Sequence, residues 1–126
     1  MEKIKSYTDI EQSKKLAEIL PLESADMCWF EGEPFVEAVT GYEEERAESH
    51  RQAGMEMYPC WSLAALLKLL PQKIEHEGNE AELHINSRMT DLWYENDNFI
   101  YFGTFAEKLI DACVQLICTL NEKGLL

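Results

Sequence analysis

Between Lys108 and Glu122 the polar residues Lys108, Asp111, Gln115, Thr119 and Glu122 recur at steps of three or four, while Leu109, Ile110, Ala112, Cys113, Val114, Leu116, Ile117, Cys118 and Leu120 fill the remaining positions. At about 3.6 residues per turn this describes a helix with one narrow polar stripe, which must be covered on more than one side. Thr104-Phe105-Ala106-Glu107 matches a capping box, so the spacing predicts a helix from Phe105 to Glu122, with Gly124 as its terminator. A second apolar helix is expected at about 60–70, where Leu63, Leu66, Leu67 and Leu70 share a face and Pro71 closes the run. These two helices are expected to pack together and against a sheet, with Trp61 as a packing anchor. Thr8-Asp9-Ile10-Glu11 is another capping box and opens an N-terminal helix over 9–20, ending before Pro21. Thr40-Gly41-Tyr42-Glu43 is a third, but residues 42–53 offer few apolar groups before Gly54, so this segment reads as a solvated helix or a mobile loop.

Strand patterns fill the interval between the apolar helices. Lys73–Glu77, Ala81–Ser87, Leu92–Glu95 and Phe99–Phe102 alternate or run apolar, and Gly78-Asn79, Arg88–Asp91 and Asn96-Asp97-Asn98 separate them, which predicts an antiparallel meander. A two-residue turn at Gly78-Asn79 would set Ile74 opposite Leu83, with Leu83 and Ile85 on one face and Glu82 and His84 on the other. Around Trp93, Tyr94, Phe99, Ile100, Tyr101 and Phe102 both faces are apolar or aromatic, so one of them needs cover from a helix, a partner or a ligand. Met27–Phe30 and Phe35–Val39 read as a further strand pair joined by Glu31-Gly32-Glu33-Pro34. The fold class is therefore α+β: an antiparallel β-meander sheet packed against two apolar helices (about 60–70 and 105–122), with an N-terminal helix (9–20), in a single domain over 1–126.

Composition narrows the function more than it names it. The 24 acidic side chains face 11 basic ones for a net charge of −13. Residues 1–20 carry four acids and four bases, residues 21–57 ten and two, and residues 58–126 ten and five. Such a surface repels nucleic acid and anionic membranes and attracts basic proteins or cations over a Debye length of roughly 10 Å. The charged N-terminus shows neither a secretory signal nor a membrane span, so a cytoplasmic location is expected. The widely spaced Cys28, Cys60, Cys113 and Cys118 form no C-x-x-C pair and read as reduced, buried thiols.

Tyr7-Thr8-Asp9-Ile10-Glu11-Gln12-Ser13-Lys14-Lys15-Leu16, Leu20-Pro21-Leu22-Glu23-Ser24-Ala25-Asp26-Met27, Trp61-Ser62-Leu63-Ala64-Ala65-Leu66 ending at Pro71, and the run from Asp111-Ala112 through Leu120 to Gly124 carry a resemblance. Over most of its length the chain resembles a group of small uncharacterised proteins of anaerobic gut bacteria and their prophages or mobile elements. The resemblance implies a bacterial or phage origin, a cytoplasmic site and one compact domain, and it carries over no functional residue.

No catalytic constellation stands out. His50, His76 and His84 belong to no recognisable set and read as surface histidines. There is no G-x-S-x-G elbow, and the six glycines are isolated, so no phosphate loop is present. Glu43-Glu44-Glu45 with Glu48 lacks the alternating ligands and turn glycine of a calcium loop and reads as a solvated helix face, while Asn96-Asp97-Asn98 is ordinary turn chemistry. The expectation is no catalytic, cofactor or metal site, and a non-enzymatic acidic interaction protein whose segment Glu31–Glu56, with Trp29 and Phe35 as anchors, meets a basic protein partner. The alternatives are a small-molecule-binding protein or enzyme with a pocket near Trp61, Trp93, Tyr94 and Tyr101, and a structural homo-oligomer, with a homodimer the simplest form.

Overall fold

In the computed structural model, which describes residues 5–30, 36–37, 45, 48–49, 52, 54 and 57–126, short helices are interleaved with antiparallel strands. Packing groups the chain into two compact units: Ser6–Ala65, and Leu66–Leu126 together with Lys5. Each unit holds its own antiparallel sheet.

In the first unit, α1 (Ile10–Ala17) is capped by Asp9 and not by Thr8. The Gln12 amide donates to Asp9 Oδ1 at 2.8 Å, and the Asp9 amide donates to Gln12 Oε1 at 3.1 Å. Thr8 fits the box pattern, but it is fully buried, with its hydroxyl 2.7 Å from Ser13 Oγ and accepting the Trp61 amide at 3.2 Å. Leaving those buried groups unpartnered would cost about 1–3 kcal/mol, so Thr8 stays with them and the exposed Asp9 caps. The helix also stops short of the expected Leu20, with Glu18 as its C-cap.

A 3₁₀ turn (Leu22–Ser24) leads into β1 (Met27–Phe30), which pairs antiparallel with both β2 (Val36–Glu37) and β3 (Met57–Cys60) in the order β2-β1-β3. The strands expected at 27–30 and 35–39 correspond to β1 and β2. β3 departs from the sequence reading, which puts Met57 in the acidic segment and Cys60 in a helix. Pro59 masks this strand as a pattern and is tolerated in it because β3 lies at the sheet edge. Leu16, Cys28, Met57, Cys60 and Trp61 form the core of this unit, none more than 1% exposed. Trp61 is fully buried as an anchor should be, but within the first unit, where its indole N–H donates to Ser24 Oγ at 2.9 Å. The expected turn at 31–34, the cap at Thr40 and most of residues 41–57 lie outside the described residues. Glu45, Glu48, Ser49 and Gln52 have helical backbone, with Ser49 Oγ donating to the Glu45 carbonyl at 3.1 Å.

Helix α2 (Leu63–Leu69) starts three residues later than expected because Cys60 belongs to β3. Ser62 opens it: its Oγ accepts the Ala65 amide at 3.1 Å and donates to Asp26 Oδ2 at 2.5 Å.

The second unit contains the predicted meander. β4 (Lys73–His76), β5 (Asn79–Ile85), β6 (Asp91–Glu95) and β7 (Ile100–Phe105) follow one another in the order β4-β5-β6-β7, all antiparallel. The first turn is Glu77-Gly78 and not Gly78-Asn79, so Ile74 faces Ala81 where Leu83 was expected. Both turn residues have positive φ, 52° and 80°, as the twist of a two-residue hairpin requires. The correction moves the register by two residues and leaves every side chain on its predicted face.

Between β6 and β7 a bulge intervenes: Tyr94 faces Tyr101, but Leu92 faces Thr104, with one extra residue in β7 and Phe102 at φ 53°. Tyr101 and Thr104, three apart, thereby share a face. Helix α3 (Leu109–Glu122) packs on β6 and β7 from that side, with Thr104 Oγ1 donating to the Ala112 carbonyl at 3.2 Å. Thr104 is therefore not the helix cap, and α3 begins at Leu109 where Phe105 was expected. Phe105 is held in β7 opposite Asp91, and strand pairing overrides a four-residue local pattern. Ile110, Ala112, Cys113, Leu116, Ile117 and Leu120 are wholly buried, as the narrow polar stripe demands.

Candidate functional site

The four-stranded sheet has two unlike faces. Ile74, Ala81, Leu92 and Tyr94 share the face on which α3 packs, and all are at most 5% exposed. Tyr94 carries its hydroxyl into this core by donating to the Pro71 carbonyl at 2.7 Å, and burial pushes its ionisation up to about 12. The alternate residues Lys73, Glu75, Glu80, Glu82, His84, Asp91, Trp93, Glu95, Ile100 and Phe105 form the other face, and none of them is buried.

This open face brings like charges together. Glu75 lies directly opposite Glu80, and Glu82 directly opposite Glu95, arrangements that weaken a sheet by a few tenths of a kcal/mol each. Lys73 relieves one of them, its Nζ 3.7 Å from Glu82 Oε1, but both groups are mostly exposed and the pair contributes little. Glu95 is held more firmly: the Trp93 indole N–H donates to its Oε1 at 2.7 Å, and His84 Nδ1 lies 3.6 Å from the same oxygen. His84 and Trp93 stack, ring centroids 5.7 Å apart and planes at 14°. A hollow of about 630 Å³ runs along this surface between Lys73, Glu80, Glu82, His84, Glu95 and Asp97.

Nearer β7 a smaller groove of about 290 Å³ is lined by Asp91, Trp93, Ile100, Gly103 and Phe105. Ile100 is 70% and Phe105 67% exposed. A Cβ on Gly103 would meet nothing, so this strand position leaves an open lane between its two large neighbours. Asn86 fixes the strand end: its Oδ1 accepts the Thr90 amide at 2.8 Å and the Asp91 amide at 2.9 Å. Asp91 Oδ1 is the one buried side-chain polar atom among the described residues with no hydrogen-bond partner.

The sequence-selected chemistry is dispersed. Trp93 and Tyr94 point to opposite faces of β6, so they cannot line one cavity, and Trp61 is fully enclosed in the first unit. His84 lies on the open face as expected, whereas His76 stands near the turn, edge-on to Tyr101 and Phe102 at 5.6 and 5.0 Å. His50 lies outside the described residues. Cys28, Cys60 and Cys113 are buried and Cys118 is half-buried. Burial pushes the Cys113 thiol up to about 12 and also raises Cys60, against the opposing pull of the Thr8 and Ser13 hydroxyls, so neither supplies a thiolate near neutral pH. No group of three or more metal-ligating side chains gathers among the described residues, and among those residues no helix is long and apolar enough to cross a membrane.

The sequence reading missed Asp91, which it assigns to a turn, and the facing carboxylates. Strand alternation alone separates Asp91, Trp93 and Glu95 from Leu92 and Tyr94, but which acids face each other depends on register. No family model, curated protein or solved structure matches the chain.

Proposed function

We propose that this chain is a non-enzymatic acidic interaction protein of a bacterial or mobile-element system, working in the cytoplasm, and that the open face of its four-stranded sheet meets a basic protein partner. The origin and compartment rest on the resemblance of residues 7–16 and the blocks that follow it. The observation that carries the binding role is the pairing of Glu75 with Glu80 and of Glu82 with Glu95 on an uncovered face that also exposes apolar side chains. Five carboxylates against one lysine on that face lower the stability of the isolated sheet, and a cationic surface laid over them would remove the repulsion and speed encounter. The segment Glu31–Glu56 lies mostly outside the described residues.

The test is retention of basic proteins from a bacterial lysate at low and high salt, by the natural chain and by a Glu80→Lys/Glu82→Lys variant whose circular dichroism is unchanged. Retention that needs low salt and fails in the variant supports the reading. Retention that ignores the charge reversal, or none at all, sinks it. A second reading, a small organic polycation in the 630 Å³ hollow, is favoured by the His84–Trp93 stack beside Glu95. A saturable change in Trp93 fluorescence on titration with spermidine, abolished in Glu95→Gln, would support it.

A further inference from the structure

The two edges of the four-stranded sheet differ in a way that bears on how a partner would dock. β4 is a short edge strand whose open-face side chains, Lys73 and Glu75, are both charged, a usual protection against strand pairing. β7 is longer, carries Ile100 and Phe105 outward, and has no strand on its far side among the described residues. We propose that β7 takes an extended basic segment of a partner protein as a fifth strand, with an arginine of that segment lying across Gly103 so that its guanidinium reaches Asp91. This rests on the acidic-surface reading above and adds the segment's shape and register.

The groove chemistry is what selects that occupant. An added strand would run about 4.8 Å from β7, placing Asp91 roughly 10 Å from the new backbone, a span that an arginine stem and an aspartate side chain cover together. Ile100 and Phe105 flank the lane and suit the aliphatic stem, while the half-buried face of Trp93 suits the cationic head. Asp91, a half-buried carboxylate that lines the lane, is the counter-charge that such a head would meet. A second copy of the chain fits less well. Pairing β7 with itself would bring together two surfaces of the same sign in a molecule already at −13.

The experiment uses the full chain and an alternating Arg-Val octapeptide, read by fluorescence anisotropy, with the Glu-Val octapeptide as control. Strand addition draws on the amides of alternate residues, so two further peptides are N-methylated, one at every valine and one at every arginine. Binding of the Arg-Val peptide alone, with loss in at least one methylated peptide, is expected. Gly103→Leu, which fills the lane without a backbone conflict, and Asp91→Asn should each weaken binding about tenfold or more. Unchanged affinity in both variants overturns the lane. Undiminished binding of both methylated peptides overturns strand addition while leaving the charge reading standing. Failure of the natural chain to bind the Arg-Val peptide overturns the strand proposal outright, and the lysate retention then decides the charge reading separately.

Discussion

The two faces of the β4–β7 sheet are built from alternate residues of the same four strands, yet they follow opposite rules. On the covered face Ile74, Ala81, Leu92 and Tyr94 are buried on the side where α3 packs, and the Tyr94 and Thr104 hydroxyls both have partners. On the open face carboxylates oppose carboxylates, Asp91 holds an oxygen with no donor, and Ile100 and Phe105 stand in solvent. One face is optimised for folding, where an unmade hydrogen bond or a void costs 1–5 kcal/mol. The other carries small, additive defects of a kind that binding would cancel. The contrast motivates the proposed interaction surface, because stability alone does not explain the open face.

The sharpest way to break the contrast is on the covered side. Leu92→Ala removes a fully buried side chain under α3 and should lower unfolding free energy by about 3 kcal/mol in urea titration. A loss below about 1 kcal/mol would mean that this face is not the core it looks like.

Alkaline pH probes the same face without a cavity. Tyr94 and Cys113 ionise only near 12 in the folded chain, against ordinary values of 10 and 9, because burial disfavours their charged forms. The unfolded chain therefore releases protons first as pH rises from about 9 to 12. Stability is fully present below that window and falls through it by about 3 kcal/mol for Tyr94 alone, taking 1.4 kcal/mol per pH unit of separation. Urea unfolding at pH 8 and pH 11 should show a smaller drop for Tyr94→Phe than for the natural chain, even though that variant also loses the bond to Pro71. An equal drop would place the tyrosine in water.

On the open side the expected effects are smaller and of opposite sign. Glu75→Gln removes half of a facing carboxylate pair and should raise stability by about 0.5 kcal/mol while weakening retention of basic proteins. A variant that is less stable would show that Glu75 has a structural role instead. Smaller still, Ile100→Ser and Phe105→Ser should each leave stability within about 0.5 kcal/mol, since both side chains are mostly exposed.

Much of the fold is legible in the chain because it is written in periodicity. The narrow polar stripe of residues 108–122 predicts a helix buried nearly all round, and the alternating runs after Pro71 predict a four-stranded meander whose faces survive even when the first turn is placed one residue late. What misleads is local signal without context. Thr8 and Thr104 both match capping boxes, yet one is drawn into a buried cluster with Ser13 and Trp61, and the other faces α3 from within a strand. Pro59 conceals β3, and only its edge position makes the strand admissible.

The sequence by itself determined the class of elements, the acidic balance and the identity of the apolar helices, because each follows from the order of side chains along one segment. Tertiary structure alone decided which carboxylates oppose one another, which face remains uncovered, and that Asp91 ends a groove floored by Gly103. Those are relations between neighbouring strands of a meander. They are fixed by register and by the bulge in β7, and neither the composition nor the periodicity of a single strand carries that information.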